Sequence, residues 1–163
     1  VLLSAKPITV DPLIITSRSR VDEGLSFAAG IERRRRAGIG HFITRDQIRA
    51  STSSEIAQIL RAVPGVSLRA DRNTNTVFAF SSSNAGSGMS TAGRGRASGT
   101  AACPMTIFLN GRIHRNPIEG VNVLATWEVE AIEVYRNMTE VPAEFSGSHA
   151  RCGVIAIWSA RRL

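Results

Sequence analysis

A chain of 163 residues with 43% hydrophobic content suits one domain with a genuine core. No apolar run approaches the roughly 18 residues of a membrane-spanning helix. The net charge of +7 comes mainly from arginine and attracts phosphate-rich or acidic partners without specifying which. Aromatic residues make up only 6% of the chain, which leaves few stacking platforms, so nucleic acid is not the expected partner.

Residues 1–20 lack helical periodicity and contain Pro7 and Pro12, so they form an extended N-terminal segment ahead of a domain over 21–163. Val1-Leu2-Leu3 is too short for the apolar core of a signal peptide, and a chain that begins with Val is expected to be a fragment or a processed product. Within the segment, Asp11-Pro12-Leu13-Ile14-Ile15-Thr16 is apolar and β-branched. Such a strand can add to the edge of another protein's sheet. It can equally be an ordinary first strand or the tail of a preceding domain. Gly24–Ala37 then carries Leu25, Ala28 and Ile31 at helical spacing, followed by Glu32 and the run Arg33–Arg36. A run of like charge reads as a solvated face, and four consecutive residues point in different directions around a helix.

Gly38–Ile43 reads as a loop leading to Thr44, an N-cap for a helix over Arg45–Ala50. Thr52-Ser53-Ser54-Glu55 has the form of a capping box. The helix after it sets Ile56, Ile59, Leu60 and Val63 on one stripe and stops at Pro64-Gly65. Val66–Arg69 and Thr76–Phe80 read as paired strands around the turn Asp71–Asn75. Ser81–Ala102 is rich in Ser, Gly, Ala and Thr and is expected to be a mobile loop. Gly86 and Gly88 within it lack the strand and helix context of a nucleotide-binding loop. Met105–Leu109, Asn110-Gly111 and Arg112–His114 give the clearest hairpin signal. Val121–Ala125 is expected to make a short helical turn, with Trp127 as a core anchor before the strand Ala131–Tyr135. A connection with Pro142, Gly147 and Cys152 leads to the strand Val154–Trp158, and the alternation in both strands predicts one buried face each.

Residues that could carry chemistry are scattered. His41, His114 and His149 have loop or edge context, so no catalytic residue is assigned and an enzyme is not expected. Glu128, Glu130 and Glu133 could pair as acid and base, but solvent-facing alternation accounts for them more simply. Cys103, Cys152 and His149 make a weak metal set, and neither a metal nor a cofactor is expected. As a disulfide, Cys103 and Cys152 would close a loop of about 50 residues, worth about 4 kcal/mol, in an oxidising compartment such as the periplasm. The other reading is two buried thiols in a cytosolic protein.

Several signatures occur in a specific order. Leu60-Arg61-Ala62-Val63-Pro64-Gly65-Val66 is followed by Asn110-Gly111, then Ile132-Glu133-Val134-Tyr135-Arg136, then Cys152-Gly153-Val154-Ile155-Ala156-Ile157. In this order they resemble the plug domain of TonB-dependent outer-membrane receptors, over about residues 11–159. That family shows Leu-x-x-x-Pro-Gly-Val, a strand ending Asp-Gly, Ile-Glu-Val-x-Arg and Gly-Gly-Val-Ile-x-Ile. This chain departs from it at Asn137-Met138 after Arg136, at Phe145-Ser146-Gly147 in place of Tyr-Gly, and at Cys152 in place of the first glycine. The resemblance implies an α+β fold, a small mixed β-sheet with short helices packed on it. It implies a gate that closes a barrel lumen and couples substrate binding to TonB-driven uptake, in the bacterial outer membrane on its periplasmic side. Asp11–Thr16 would be the TonB box, docking the TonB C-terminal domain. The other partners would be an outer-membrane barrel of about 22 strands and a small nutrient ligand. Some of Arg33–Arg36 would then reach acidic groups in the lumen. Two further readings stand beside it, a stand-alone periplasmic plug-like binding module and a basic nucleic-acid-binding domain. A barrel-coding extension separates the first from the second, and salt-steep oligonucleotide binding separates the third.

Overall fold

A computed structural model describes residues 20–82, 103–115 and 120–160, with side chains from residue 28 onward. Asp11–Thr16 and all but the first two residues of the expected mobile loop lie outside the described residues. The chain divides into two units, Val1–Arg33 and Arg34–Leu163. In the first, the described structure is the beginning of helix α1, which runs Arg20–Arg36. The helix starts four residues before Gly24, where the polar sequence Arg20–Glu23 carries no apolar periodicity to announce it.

The second unit continues with strand β1 (His41–Thr44), helix α2 (Arg45–Ala50), helix α3 (Ile56–Leu60) and the strands β2 (Val66–Ala70) and β3 (Val77–Ser81). Strands β4 (Thr106–Leu109), β5 (Arg112–Ile113), β6 (Val129–Tyr135) and β7 (Val154–Ser159) follow, with single 3-10 turns at Thr126–Glu128, Ala143–Phe145 and Ser148–Cys152. Five strands form one sheet in the order β1-β6-β7-β4-β5, and β2 pairs with β3 apart from it. The sheet is mixed: β1 with β6, β6 with β7 and β4 with β5 are antiparallel, whereas β4 with β7 is parallel. This is the expected α+β arrangement of short helices on a small mixed sheet.

The sheet has two different faces. Ile132 and Val134 of β6 and Ile155 and Ile157 of β7 enter one apolar cluster with Ile48, Ile56 and Leu60 from the helices and Val63 just after α3. Each fully buried side chain of this size contributes about 1.5–3 kcal/mol. Because strand neighbours point to opposite faces, Glu133, Tyr135, Ala156 and Trp158 lie on the other face. That face is also buried, so β6 and β7 are covered on both sides and not on one as the alternation predicts. Phe145, from the turn before β7, is packed there against Tyr135, Phe108 and Trp158, with ring centroids 5.0–6.2 Å apart.

Local structure departs from sequence expectation at four further places. Residues 41–44 are an edge strand, not loop, because their partner is β6, some ninety residues later. Thr52–Glu55 does not cap α3; Glu55 is the N-cap and makes no side-chain cap bond, and Asn122 Oδ1 accepts from Ala57 N at 2.9 Å instead. The capping box is at Thr44, where Gln47 Oε1 accepts from Thr44 N at 2.9 Å and Thr44 Oγ1 accepts from Gln47 N. The helical turn expected at Val121–Ala125 falls at Thr126–Glu128, and it turns Trp127 outward to 70% exposure while Thr126 takes the buried position. Among the described residues no helix is long and apolar enough to cross a membrane.

Candidate functional site on strand β6

The most constrained chemistry lies on the second face of β6. Glu133 is completely buried, with 0% exposure, in the middle of an apolar strand. A lone ionised carboxylate there would be prohibitively costly unless paired and hydrogen-bonded. Its partner is Arg34, at the C-terminal end of α1 and only 8% exposed, where a cation also suits the helix dipole. Arg34 Nε donates to Glu133 Oε2 at 2.8 Å and Nη2 donates to Oε1 at 2.7 Å, the two-pronged geometry that a guanidinium makes with a carboxylate. Two more donors complete the shell, Tyr135 Oη to Oε2 and Trp158 Nε1 to Oε1 at 2.6 Å. The third guanidinium nitrogen, Nη1, reaches Glu144 Oε2 at 2.8 Å. The guanidinium also lies over the Phe145 and Trp158 rings, 5.3 and 5.4 Å from their centroids.

Burial works against the charge on Arg34, but the hydrogen bond and charge of Glu133 outweigh it, and the guanidinium holds its proton more tightly than usual. Burial, then the bond to the Glu133 carboxylate, pushes the Tyr135 phenol well above its ordinary value. The cluster is a buried ion pair whose carboxylate accepts four hydrogen bonds. Among the described residues no group of three or more His, Cys, Asp or Glu could hold a metal ion.

These positions correct two sequence expectations. Glu133 does not face solvent, and the arginine run is not wholly a solvated face, because Arg34 turns inward. Both follow from β6 being covered on two sides, so that an acid on it needs a cation from elsewhere in the chain.

The signature residues from distant parts of the sequence gather around β6 and β7. Arg136 follows β6; its backbone N–H donates to Glu140 Oε2 and its Nη2 to Glu140 Oε1, both at 2.9 Å. Gly65, after Pro64, lies against the Arg136 side chain, which a Cβ at Gly65 would meet at 3.0 Å. Asn110 and Gly111, both with positive φ, make the hairpin turn between β4 and β5. Asn110 also anchors the end of β7: its Nδ2 donates to Ser159 Oγ at 2.8 Å and its Oδ1 accepts from Ser159 N at 2.9 Å. Gly153 opens β7 at φ +93°, where a Cβ would stand 2.6 Å from the Tyr135 carbonyl oxygen. Cys103 and Cys152 are joined in a disulfide with Cα atoms 5.6 Å apart.

Residues 36–145 match the family described as TonB-dependent Receptor Plug Domain. The chain belongs to that family. A plug domain of this kind is a component of the bacterial cell envelope. No curated protein matches the sequence. A variant of the ferric enterobactin receptor PfeA from Pseudomonas aeruginosa superposes with a TM-score of 0.51 at 20% identity, covering 74% of this chain and 17% of that one. The siderophore receptor PirA from Acinetobacter baumannii gives 0.49 at 16% identity, covering 76% and 17%. The ferric yersiniabactin uptake receptor FyuA from Yersinia pestis gives 0.49 at 15%, covering 75% and 17%. The plug domain thus spans about a sixth of the length of these receptors, and the first superposition speaks for the fold alone.

Proposed function

We propose that this plug domain closes the lumen of an outer-membrane barrel of about 22 strands and couples the binding of a small nutrient ligand to TonB-driven uptake. The observation that carries the reading is the family match over residues 36–145. The buried polar cluster, which ties Arg34 to Glu133 of β6, is compatible with a gating role. In this reading Asp11–Thr16 is the docking strand for the TonB C-terminal domain and lies on the periplasmic side of the membrane. The Cys103–Cys152 disulfide suits that oxidising compartment.

Binding by strand addition rests on main-chain hydrogen bonds, with side chains secondary. Titration of the TonB C-terminal domain against the chain should give binding that Ile14→Ala weakens modestly. Ile14→Pro removes a backbone donor and should abolish it. A proline variant that binds TonB as well as the parent would remove Asp11–Thr16 from this role. Binding of a random oligonucleotide that ignores position 14 and falls steeply with salt would favour nucleic acid instead.

A further inference from the structure

We infer that the Cys103–Cys152 disulfide is a tether that limits how far a pull from the N-terminal side can open this plug domain, and that its reduction removes the limit. The inference deepens the reading just given and rests on it in one respect, that load enters ahead of the domain and is resisted after it.

The bond joins positions 49 residues apart, with Cα atoms 5.6 Å from each other. A line of tension along the chain therefore crosses from Cys103 to Cys152 and leaves residues 104–151 as a closed loop beside it. That loop holds β4, β5 and β6, whereas β7 follows Cys152 and lies on the line itself. A strand is already near the greatest length its residues can span, so tension between its ends lengthens it little. In the sheet order β1-β6-β7-β4-β5, the loop strands and β7 are adjacent. The bond thus divides the sheet between β1 and β6. Strand β1, with α2, α3, β2 and β3, precedes Cys103 and can be drawn out; the other four strands of the sheet are spared. Of the buried cluster, Glu133, Tyr135 and Phe145 lie in the loop and Trp158 on β7, while Arg34 lies ahead of Cys103. Cys152 stands where the family pattern has glycine, so the tether is a feature of this chain and not of that pattern.

Without the bond, the line of tension enters β4 at its N-terminal end and leaves β7 at its C-terminal end. These two strands are parallel partners, from Thr106 opposite Val154 to Leu109 opposite Ile157, so the load slides one along the other. Once it does, residues 104–151 join the extended chain, and β6 with Glu133 goes with them. Reduction is thiol–disulfide exchange with a dithiol. The dithiol passes two electrons and two protons to Cys103 and Cys152, and its own two sulfurs close as a disulfide. The two states differ in reach by 49 residues less the span of the bond, roughly 160 Å of extended chain.

The experiment pulls the full 163-residue chain in an optical trap through handles attached ahead of Val1 and after Leu163 by thiol-free chemistry. The oxidised parent should reach its limit roughly 160 Å short of the whole extended chain. Dithiothreitol added while that load is held should then lengthen the same molecule by the missing roughly 160 Å. The double variant Cys103→Ser with Cys152→Ser should reach the whole length from the start, and dithiothreitol should not change it. Where that variant does not fold, the record of the parent before and after dithiothreitol decides alone. An oxidised parent that reaches the whole length overturns the inference, and so does a parent that dithiothreitol does not lengthen. Because the trap imposes the load directly, failure here is read as a length, separately from failure of TonB to bind.

Discussion

Four donors converge on the Glu133 carboxylate, and its two ends respond unequally to substitution. Arg34→Met removes the cation and leaves a buried carboxylate held by Tyr135 and Trp158 alone; urea unfolding should show a loss of about 3–5 kcal/mol. Glu133→Gln leaves Arg34 within reach of Glu144 and should lose less. Tyr135 is the single tyrosine of the chain, so its titration can be followed without overlap. Its phenol is held neutral in the folded state by burial and by the adjacent carboxylate. That contribution to stability is therefore present below the free tyrosine value of about 10 and is lost as pH rises above it. Tyrosinate absorbance should stay absent until the chain unfolds in alkali; a reversible titration near 10 with the fold intact would contradict the burial. Gly153→Ala should destabilise by at least about 2 kcal/mol, since it combines a left-handed φ with a clash against backbone. At this scale the sequence did not show the pair. Arg34 and Glu133 stand 99 positions apart, and four consecutive arginines give no sign of which one turns inward. The one available signal was an acid at an alternate position between Ile132 and Val134, in a strand apolar enough to be buried on both faces.

Among the elements, legibility followed the range of the interaction that fixes each. The Asn110-Gly111 hairpin, the β2–β3 pair and the Thr44 cap were readable because their determinants lie within a few residues. Strand β1 was not, since a four-residue edge strand exists only through its ladder with β6. The Thr52–Glu55 signature does not cap α3, because Asn122 reaches the α3 terminus from elsewhere in the chain, which a local pattern cannot show. Trp127 lies outside the core because the turn at Thr126–Glu128 decides which of its residues faces inward. Thr44→Ala should cost about 1 kcal/mol through the lost cap on α2, and Asn122→Ala a similar amount through Ala57 N, both measured by thermal melts. The disulfide ties the residues ahead of β4 to the turn ahead of β7 across 49 positions. Reduction should lower stability by about 4 kcal/mol on chain-entropy grounds. Thiol titration of unfolded, unreduced protein should find no reactive group, and two would remove the bond.

For the whole molecule, acid is the condition that separates local ion pairs from bulk charge. Burial opposes ionisation of Glu140, but bonds from the Arg136 backbone N–H, its guanidinium and Asn137 outweigh it and hold the carboxyl below its ordinary value. Asp71 is likewise lowered, by the backbone N–H groups of Asn73 and Thr74. Groups depressed in this way stabilise the fold above the ordinary carboxylate range near about 4 and lose that contribution as pH falls through their folded values. The midpoint of thermal unfolding should therefore drop below that range, and Glu140→Gln should flatten the drop; an unchanged profile would deny the pair a role. The sheet order holds one more consequence, for the order of events during synthesis. Two of its three interior strands, β6 and β7, are the last described strands to leave the ribosome, whereas β1, on one flank, is the first. Until β7 is available, the β1–β6 pair and the β4–β5 hairpin have no strand to join them, and the nascent chain cannot complete its sheet by the usual N-terminal-first route. Such a chain stays open and strand-edged for most of its synthesis, the state in which a holding chaperone can keep it from self-association.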